Sequence, residues 1–169
     1  MDILTLKGQE TLVEEARAVF LWHSKYPDFR YCETPKAMPA AVDAVLVKDG
    51  LVRGVVETKC RRNMSLEKLE REYGWEWLIT TEKIQTGRYV AEALQVPFIG
   101  FLYLVDDDVL LHQALWKPDQ GWIPSIGERR TRTQYSVNGG LAMRENSFID
   151  MSNAKIIKGN NDGQQSTSI

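Results

Sequence analysis

Residues 41–59 constrain this chain more than any other stretch. Ala41-Val42-Asp43-Ala44-Val45-Leu46-Val47 and Val52-Arg53-Gly54-Val55-Val56-Glu57-Thr58-Lys59 are two β-rich runs, separated by Lys48-Asp49-Gly50-Leu51. Asp-Gly between such runs predicts a tight hairpin, because the favoured two-residue turns need positive φ, which Asp and Gly accept. The hairpin sets Asp43 on one strand beside Glu57 and Lys59 on the other. Residues two apart in a strand share a face, so Glu57 and Lys59 point the same way. Three charges on two otherwise apolar strands need compensation, because an unpaired buried charge is very costly. A divalent cation together with a phosphate would supply it.

A chain of 169 residues is long enough to bury a real core and short enough to be one domain. That domain is expected over residues 1–158, followed by a polar tail, 159–169, read as disordered. Hydrophobic residues at 43% and charged residues at 26% are ordinary for a soluble globule. The longest apolar run, Val96 to Val105, contains Pro97 and Gly100 and falls far short of the roughly 20 residues of a membrane-spanning helix. Met1-Asp2 is not followed by the apolar segment of a signal peptide. Two cysteines, Cys32 and Cys60, make no disulfide framework and fit a reducing setting. These features predict a cytoplasmic protein without membrane contact. A net charge of −2 argues against holding nucleic acid by bulk electrostatics alone. It leaves room for an acidic cation site, which is negative before the cation arrives.

Leu12, Ala16, Val19, Phe20 and His23 form one apolar stripe and predict a helix over 9–23. A short strand is expected at Phe29 to Glu33, then the hairpin, then a short helix from Ser65 to Tyr73 with Ser65 as N-cap. Gly74 to Leu78 is open between strand and helix. Thr80 or Thr81 starts a helix reaching Leu94, and Pro97 to Val105 has the continuous apolar character of a buried strand. Asp106-Asp107-Asp108 reads as a turn and Val109 to Trp116 as the next strand. Pro118 to Gly127 reads as loop, Arg129 to Thr133 as a basic run, and Phe148 to Ile157 as a peripheral strand. The order α, β, β, β, α, β, β predicts an α/β fold with a mixed central β-sheet flanked by helices.

Two motifs now stand in order along the chain: Asp43 with Glu57-Thr58-Lys59, and Gln85-Thr86-Gly87-Arg88-Tyr89, a Q-x-x-x-Y pattern. Over roughly residues 8–115 the set resembles the PD-(D/E)XK nuclease superfamily, and in its second motif the RecB-like and lambda-exonuclease-like branch. Val42 stands where that pattern has Pro, although Pro39 lies nearby. The resemblance implies a restriction-endonuclease-like αβββαβ core and a metal-dependent DNA nuclease leaving 5′-phosphate products. Mg²⁺ or Mn²⁺ would be the cofactor, and Mg²⁺ favours one or two carboxylates plus water and substrate oxygens. Asp43 and Glu57 are the candidate metal carboxylates, with the Thr58 carbonyl as the third ligand that the family implies. The Lys59 ammonium could acidify the attacking water or neutralise charge on the phosphate. The helix carboxylate could be Glu10, Glu14 or Glu15; Glu15, at the edge of the apolar stripe, is the one chosen.

Gln85 and Tyr89 share a helix face, and in the resembled branch such residues orient substrate. Arg61, Arg62, Lys83 and Arg88 could grip phosphates without reading sequence. The leading expectation is exonuclease-like action on DNA. A homo-oligomer or an accessory protein would complete the DNA-binding surface, since processive exonucleases need a ring or a tunnel. The alternatives are a structure-selective endonuclease or Holliday-junction resolvase, and a non-catalytic DNA- or partner-binding module. Small size would suit a phage or mobile-element protein. Other chemistries find no motif: the chain has no Gly-x-Ser-x-Gly, Gly-x-Gly-x-x-Gly, Walker loop, Cys-x-x-Cys or His-Glu-x-x-His. Two histidines cannot build a His-rich metal site, and His23 and His112 both read as core. Cys60, between Lys59 and Arg61, reads as structural although its neighbours could stabilise a thiolate. The five tryptophans read as core in preference to stacking platforms for bases.

Overall fold

A computed structural model describes residues 6–36, 40–132 and 143–159, with side chains from residue 10. Pro39, Thr133 and the expected tail beyond Gly159 lie outside the described residues. Helix α1 (Leu6–Lys25) leads into β1 (Arg30–Glu33), β2 (Ala44–Lys48) and β3 (Leu51–Arg61), then the short α2 (Leu66–Arg71). Next come β4 (Glu76–Thr80), α3 (Thr81–Leu94), β5 (Phe98–Leu104), β6 (Val109–Lys117) and β7 (Gly121–Trp122). Strands β8 (Ile126–Arg132), β9 (Met143–Asp150) and β10 (Lys155–Lys158) complete the order.

The hairpin forms as its turn chemistry demands. Asp49 and Gly50 both have positive φ, 54° and 75°, and Lys48 pairs with Leu51 across the turn. The main sheet runs β1-β2-β3-β5-β6-β10, with β7 added on β6. Its pairs are antiparallel except β3 with β5, which are parallel and joined by a crossover containing α3. The expected αβββαβ core is therefore α1, β1–β3, α3 and β5, a mixed sheet with helices on both faces. On one face, Ala44, Leu46, Val56, Phe101 and Leu110 pack with Ala18, Leu21 and Trp22 of α1. On the other, Val55, Phe98, Leu102, Leu111 and Leu115 pack with Ile84 and Ala91 of α3.

The inward face of α1 differs from the expected stripe. Phe20 is 62% exposed, and Ala16 and His23 are exposed, so His23 is not a core residue. Trp22 decides the matter: its ring stacks on Tyr26 at 5.1 Å and meets Phe29 and Phe101 at 5.6 Å. Burying the largest ring gains more than burying Phe20, because apolar stabilisation scales with area. Turned this way, the helix directs Glu14 and Glu15 toward the sheet.

A second sheet, β4-β9-β8, was not expected. Glu76–Thr80 resolves the ambiguous segment as a strand, and the basic run, as far as Arg132, lies in β8. The stretch expected as one peripheral strand is divided between β9, central in this sheet, and β10, an edge of the main sheet. Part of the expected 118–127 loop forms β7. Trp77, Ile79 and Ile149 join the core on the α3 side. Two glycines allow this close stacking. A Cβ on Gly100 would lie 2.5 Å from the Trp77 ring, and a Cβ on Gly87 would lie 2.4 Å from the Phe98 ring. The absence of a side chain at Gly87 lets α3 settle onto β5 and brings its first turn within reach of Glu57 on β3.

Ser65 caps α2 by accepting from Lys68 N–H at 3.1 Å, as expected. The three turn aspartates are structural ties. Asp106 accepts from Asn63 N–H, Asp107 accepts from Leu66 N–H, and Asp108 binds Arg17 and the Tyr103 hydroxyl. No helix among the described residues is long and apolar enough to cross a membrane.

Candidate active site

Asp43 lies immediately before β2. Its N–H donates to Val56 C=O at 2.9 Å, and its Oδ2 accepts from Thr58 N–H at 2.7 Å. The side chain thus continues the hydrogen bonding of β3 past the point where β2 begins. A strand residue's N–H and C=O point to the same edge, so the Thr58 carbonyl faces this side as well. Glu57, one residue back and on the α3 face, is 5% exposed.

Lys83, from the first turn of α3, places its Nζ 3.3 Å from Glu57 Oε2 and 4.0 Å from Asp43 Oδ1. One ammonium therefore serves two carboxylates. Lys36 does the same on the other side, at 2.9 Å from Glu15 Oε2 and 3.9 Å from Asp43 Oδ1. The result is an alternating chain of charge: Glu15, Lys36, Asp43, Lys83, Glu57. Glu15 joins the pair through Lys36, while Glu14 and Glu10 engage Arg62.

Burial pushes the Glu57 carboxyl up to about 7, the Asp43 charge adds to the rise, and Lys83 and Lys59 work against it. Lys59 shares the α3-side face of β3 with Glu57. Its pKa is lowered, by burial first and then by Arg61, against the opposing pull of Glu57 and Asp43. Burial also opposes the charge of Lys36, but its hydrogen bond to Glu15 and the field of Asp43 prevail and raise its pKa. Thr58 faces α1, where its Oγ1 meets the Tyr31 hydroxyl at 3.1 Å.

The other expected site residues are placed differently. Arg61 turns inward and donates to Leu78 C=O at 2.7 Å, tying β3 to β4. Arg62 lies across Glu10 and Glu14 of α1. Arg88 pairs with Glu92 at 3.2 Å, with its guanidinium 4.7 Å from the Tyr89 ring centre. Gln85 and Tyr89 do share a helix face. At about 100° per residue, however, it lies away from Ile84, Gly87 and Ala91, which meet the sheet, and from Lys83. Tyr89 is 59% exposed. The structure thus gathers Asp43, Glu57, Lys59 and Lys83, and leaves Gln85 and Tyr89 outside that group.

Lys36 was not expected. It sits in an aperiodic connection, and only the need of Glu15 and Asp43 for a counterion could have pointed to it. Cys60 is not a stabilised thiolate: burial pushes its thiol up to about 12. Trp22, Trp77 and Trp116 are buried, and Trp75 and Trp122 pack against the core.

Among the described residues, no group of three or more His, Cys, Asp or Glu side chains is gathered to hold a metal ion. Asp43 and Glu57 form a pair, and the Lys83 ammonium between them shows that a cation can reach both. Two carboxylates with a backbone carbonyl are the hard oxygen donors that Mg²⁺ or Mn²⁺ takes, with water and substrate filling the remaining positions. The donor set fits such an ion.

No protein-family model matches the chain, and no curated protein matches it. Among solved structures, the chain is similar to one described as a Holliday junction resolvase, Hjc, from the archaeal hyperthermophile Archaeoglobus fulgidus. The two are 14% identical with a TM-score of 0.45, over 82% of this chain and 88% of that one. At that level the likeness is one of general outline.

Proposed function

We propose that this chain is a metal-dependent nuclease that hydrolyses DNA phosphodiester bonds. The observation that carries the reading is the convergence of Asp43 and Glu57 on one ammonium, with Lys59 on the same strand face as Glu57. Burying Glu57 beside a second carboxylate costs stability, and a charged ligand bound there would return it. Asp43 and Glu57 would hold Mg²⁺ or Mn²⁺, with the Thr58 carbonyl as a further oxygen. When bound, that ion supplies polarisation of the phosphate and a more acidic water. Lys59 would offset negative charge gathering on the phosphate, strengthened by its sheltered position. Lys83 would move from the carboxylates to the substrate side, where its side chain is already 40% exposed.

Internal cleavage is the mode we favour. Among the described residues the Lys83 side chain beside the carboxylates is 40% exposed, so reaching them would not require an end to be threaded. That supports a structure-selective endonuclease, junction resolvases among them, ahead of the exonuclease reading. The test is cleavage of end-labelled linear, closed circular and four-way-branched DNA with Mg²⁺, Mn²⁺ or EDTA. Nicked circles or cut branches mean internal cleavage, and loss of linear DNA alone means an exonuclease. Retained cleavage in pure Lys59→Ala or Asp43→Asn would sink the assignment. Binding without cleavage in any metal would make the chain a binding module.

A further inference from the structure

Beyond Lys59 and Lys83, the cations near the site are already committed: Lys36 to carboxylates, Arg61 to a backbone carbonyl, Arg62 to two glutamates. A different basic surface stands beside it. Strands β8 and β9 pair from Ile126↔Ile149 to Arg132↔Met143, while β4 covers β9 only from Asp150 to Asn146. Residues 130–132 and 143–145 therefore continue past the end of β4 as a two-stranded ribbon. They are exposed apart from Thr131, which accepts a hydrogen bond from Asn146 Nδ2 at 2.6 Å.

From Glu128 to Arg132 and Met143 to Ser147, four arginines face two glutamates, a net charge of +2 in a chain whose own net charge is −2. Arg129 is held by Glu76 and lies over the Phe148 ring. Arg130 approaches Glu145 only at 3.7 Å, with both side chains about 70% exposed, a pair of little strength. No acidic group among the described residues lies within ion-pair distance of Arg132 or Arg144, and residues 133–142 contain no Asp or Glu. Alternation along the strands puts Arg130 and Arg132 on one face of the ribbon and Arg144 on the other.

The root of the ribbon is anchored to the site. Asn146 pairs with Thr80, the Ser147 hydroxyl meets the Thr81 hydroxyl at 3.0 Å, and Lys83 follows two residues later. Residues 130–132 and 143–145 therefore extend the second sheet at the end that adjoins the first turn of α3, which carries Lys83.

We propose that the β8–β9 ribbon is an arm that holds duplex DNA, with Arg130, Arg132 and Arg144 on backbone phosphates. A two-stranded ribbon fits the major groove, and arginines on both faces can reach the phosphates on either side. Exposed, weakly paired guanidinium groups suit this use, because contact with phosphate releases counterions without first breaking a strong protein ion pair. The choice of DNA as the occupant rests on the nuclease reading.

The experiment measures binding of a fluorescein-labelled duplex, and of the matching single strand, by anisotropy in EDTA across a salt series. It compares the parent with Arg130→Gln/Arg132→Gln/Arg144→Gln. The arm predicts a Kd for duplex raised by about tenfold or more, and a log–log salt slope shallower by about 2 to 3. Unchanged Kd and slope, or a loss confined to single strands, overturns it. Circular dichroism melts monitor folding, and the matching triple Lys variant keeps the charge. If the Lys variant loses as much affinity as the Gln variant, the electrostatic grip is overturned. Asp43→Asn is run alongside. Cleavage surviving in Asp43→Asn would defeat the nuclease reading, while the arm is judged on Kd alone.

Discussion

Glu57 and His112 are both buried titratable groups in one sheet, and the fold treats them in opposite ways. His112 pairs with Phe101, which pairs with Thr58, the neighbour of Glu57 on the other sheet face. Around His112 are rings: Tyr26 edge-on at 5.4 Å and Phe101 at 6.0 Å, with the Tyr26 hydroxyl 3.4 Å from Nε2. Burial, with a smaller contribution from Lys155, brings its pKa down to about 4, so at neutral pH it is an uncharged core residue. Around Glu57 are charges, two ammoniums and a second carboxylate. A fold that needs only a filled core solves burial by neutrality, as at His112. Gathering like charges and tethering cations to them serves something other than packing, and that contrast is why we propose the Asp43–Glu57 end as the functional one.

The comparison breaks most visibly in activity. Lys59→Ala and Asp43→Asn should each lower metal-dependent cleavage by about 10²- to 10⁴-fold in single-turnover assays, with melting temperature unchanged or raised. His112→Phe should leave cleavage intact. An equal loss of cleavage in all three would erase the distinction.

Next in size is the pH dependence of stability. His112 resists a proton that the unfolded chain accepts, so the parent should lose stability as pH falls from about 6.5 toward 4, by about 3 kcal/mol in all. Urea melts across that range should show the slope, and His112→Phe should flatten it. Glu57 works with the opposite sign. Its folded carboxyl keeps a proton, up to about pH 7, that the unfolded chain releases near its ordinary value. Metal-free protein should therefore lose stability from this group as pH rises across that window, then level off. Glu57→Gln should remove the contribution, and a variant whose pH profile matches the parent would show Glu57 to be ordinary.

The smallest effect concerns the support behind the site. Tyr31→Phe deletes the hydrogen bond to Thr58 Oγ1 and should cost about 1 kcal/mol in chemical denaturation, with cleavage largely kept. A large loss of cleavage would instead make Tyr31 part of the chemistry.

Much of this was legible before any coordinates. Asp49-Gly50 fixed the hairpin through local φ preferences, and the apolar runs of β5 and β6 announced buried strands. What escaped notice depended on partners distant in sequence. β8 is exposed along most of its length, so it has no apolar alternation, and it becomes a strand only because β9 pairs with it. β4 finds its partner in β9 across α3 and the whole of β5 to β8. The α1 face turned on competition between two apolar stripes, which a single helix cannot decide for itself. At the site, Asp43, Glu57 and Lys59 were readable from strand alternation, whereas Lys36 emerges only in three dimensions. Gln85 and Tyr89 were correctly paired with each other, but their direction is set by Gly87 seating the opposite side of α3.

Gly87 has a practical consequence for anyone surveying this protein by mutation. A methyl group there must displace the Phe98 ring or lift α3, and lifting α3 draws Lys83 away from Glu57 and Asp43. In a mutational scan scored by DNA cleavage, position 87 will rank with the carboxylates although it carries no functional group. Its intolerance will measure helix height, read out through the reach of Lys83 to Glu57 and Asp43.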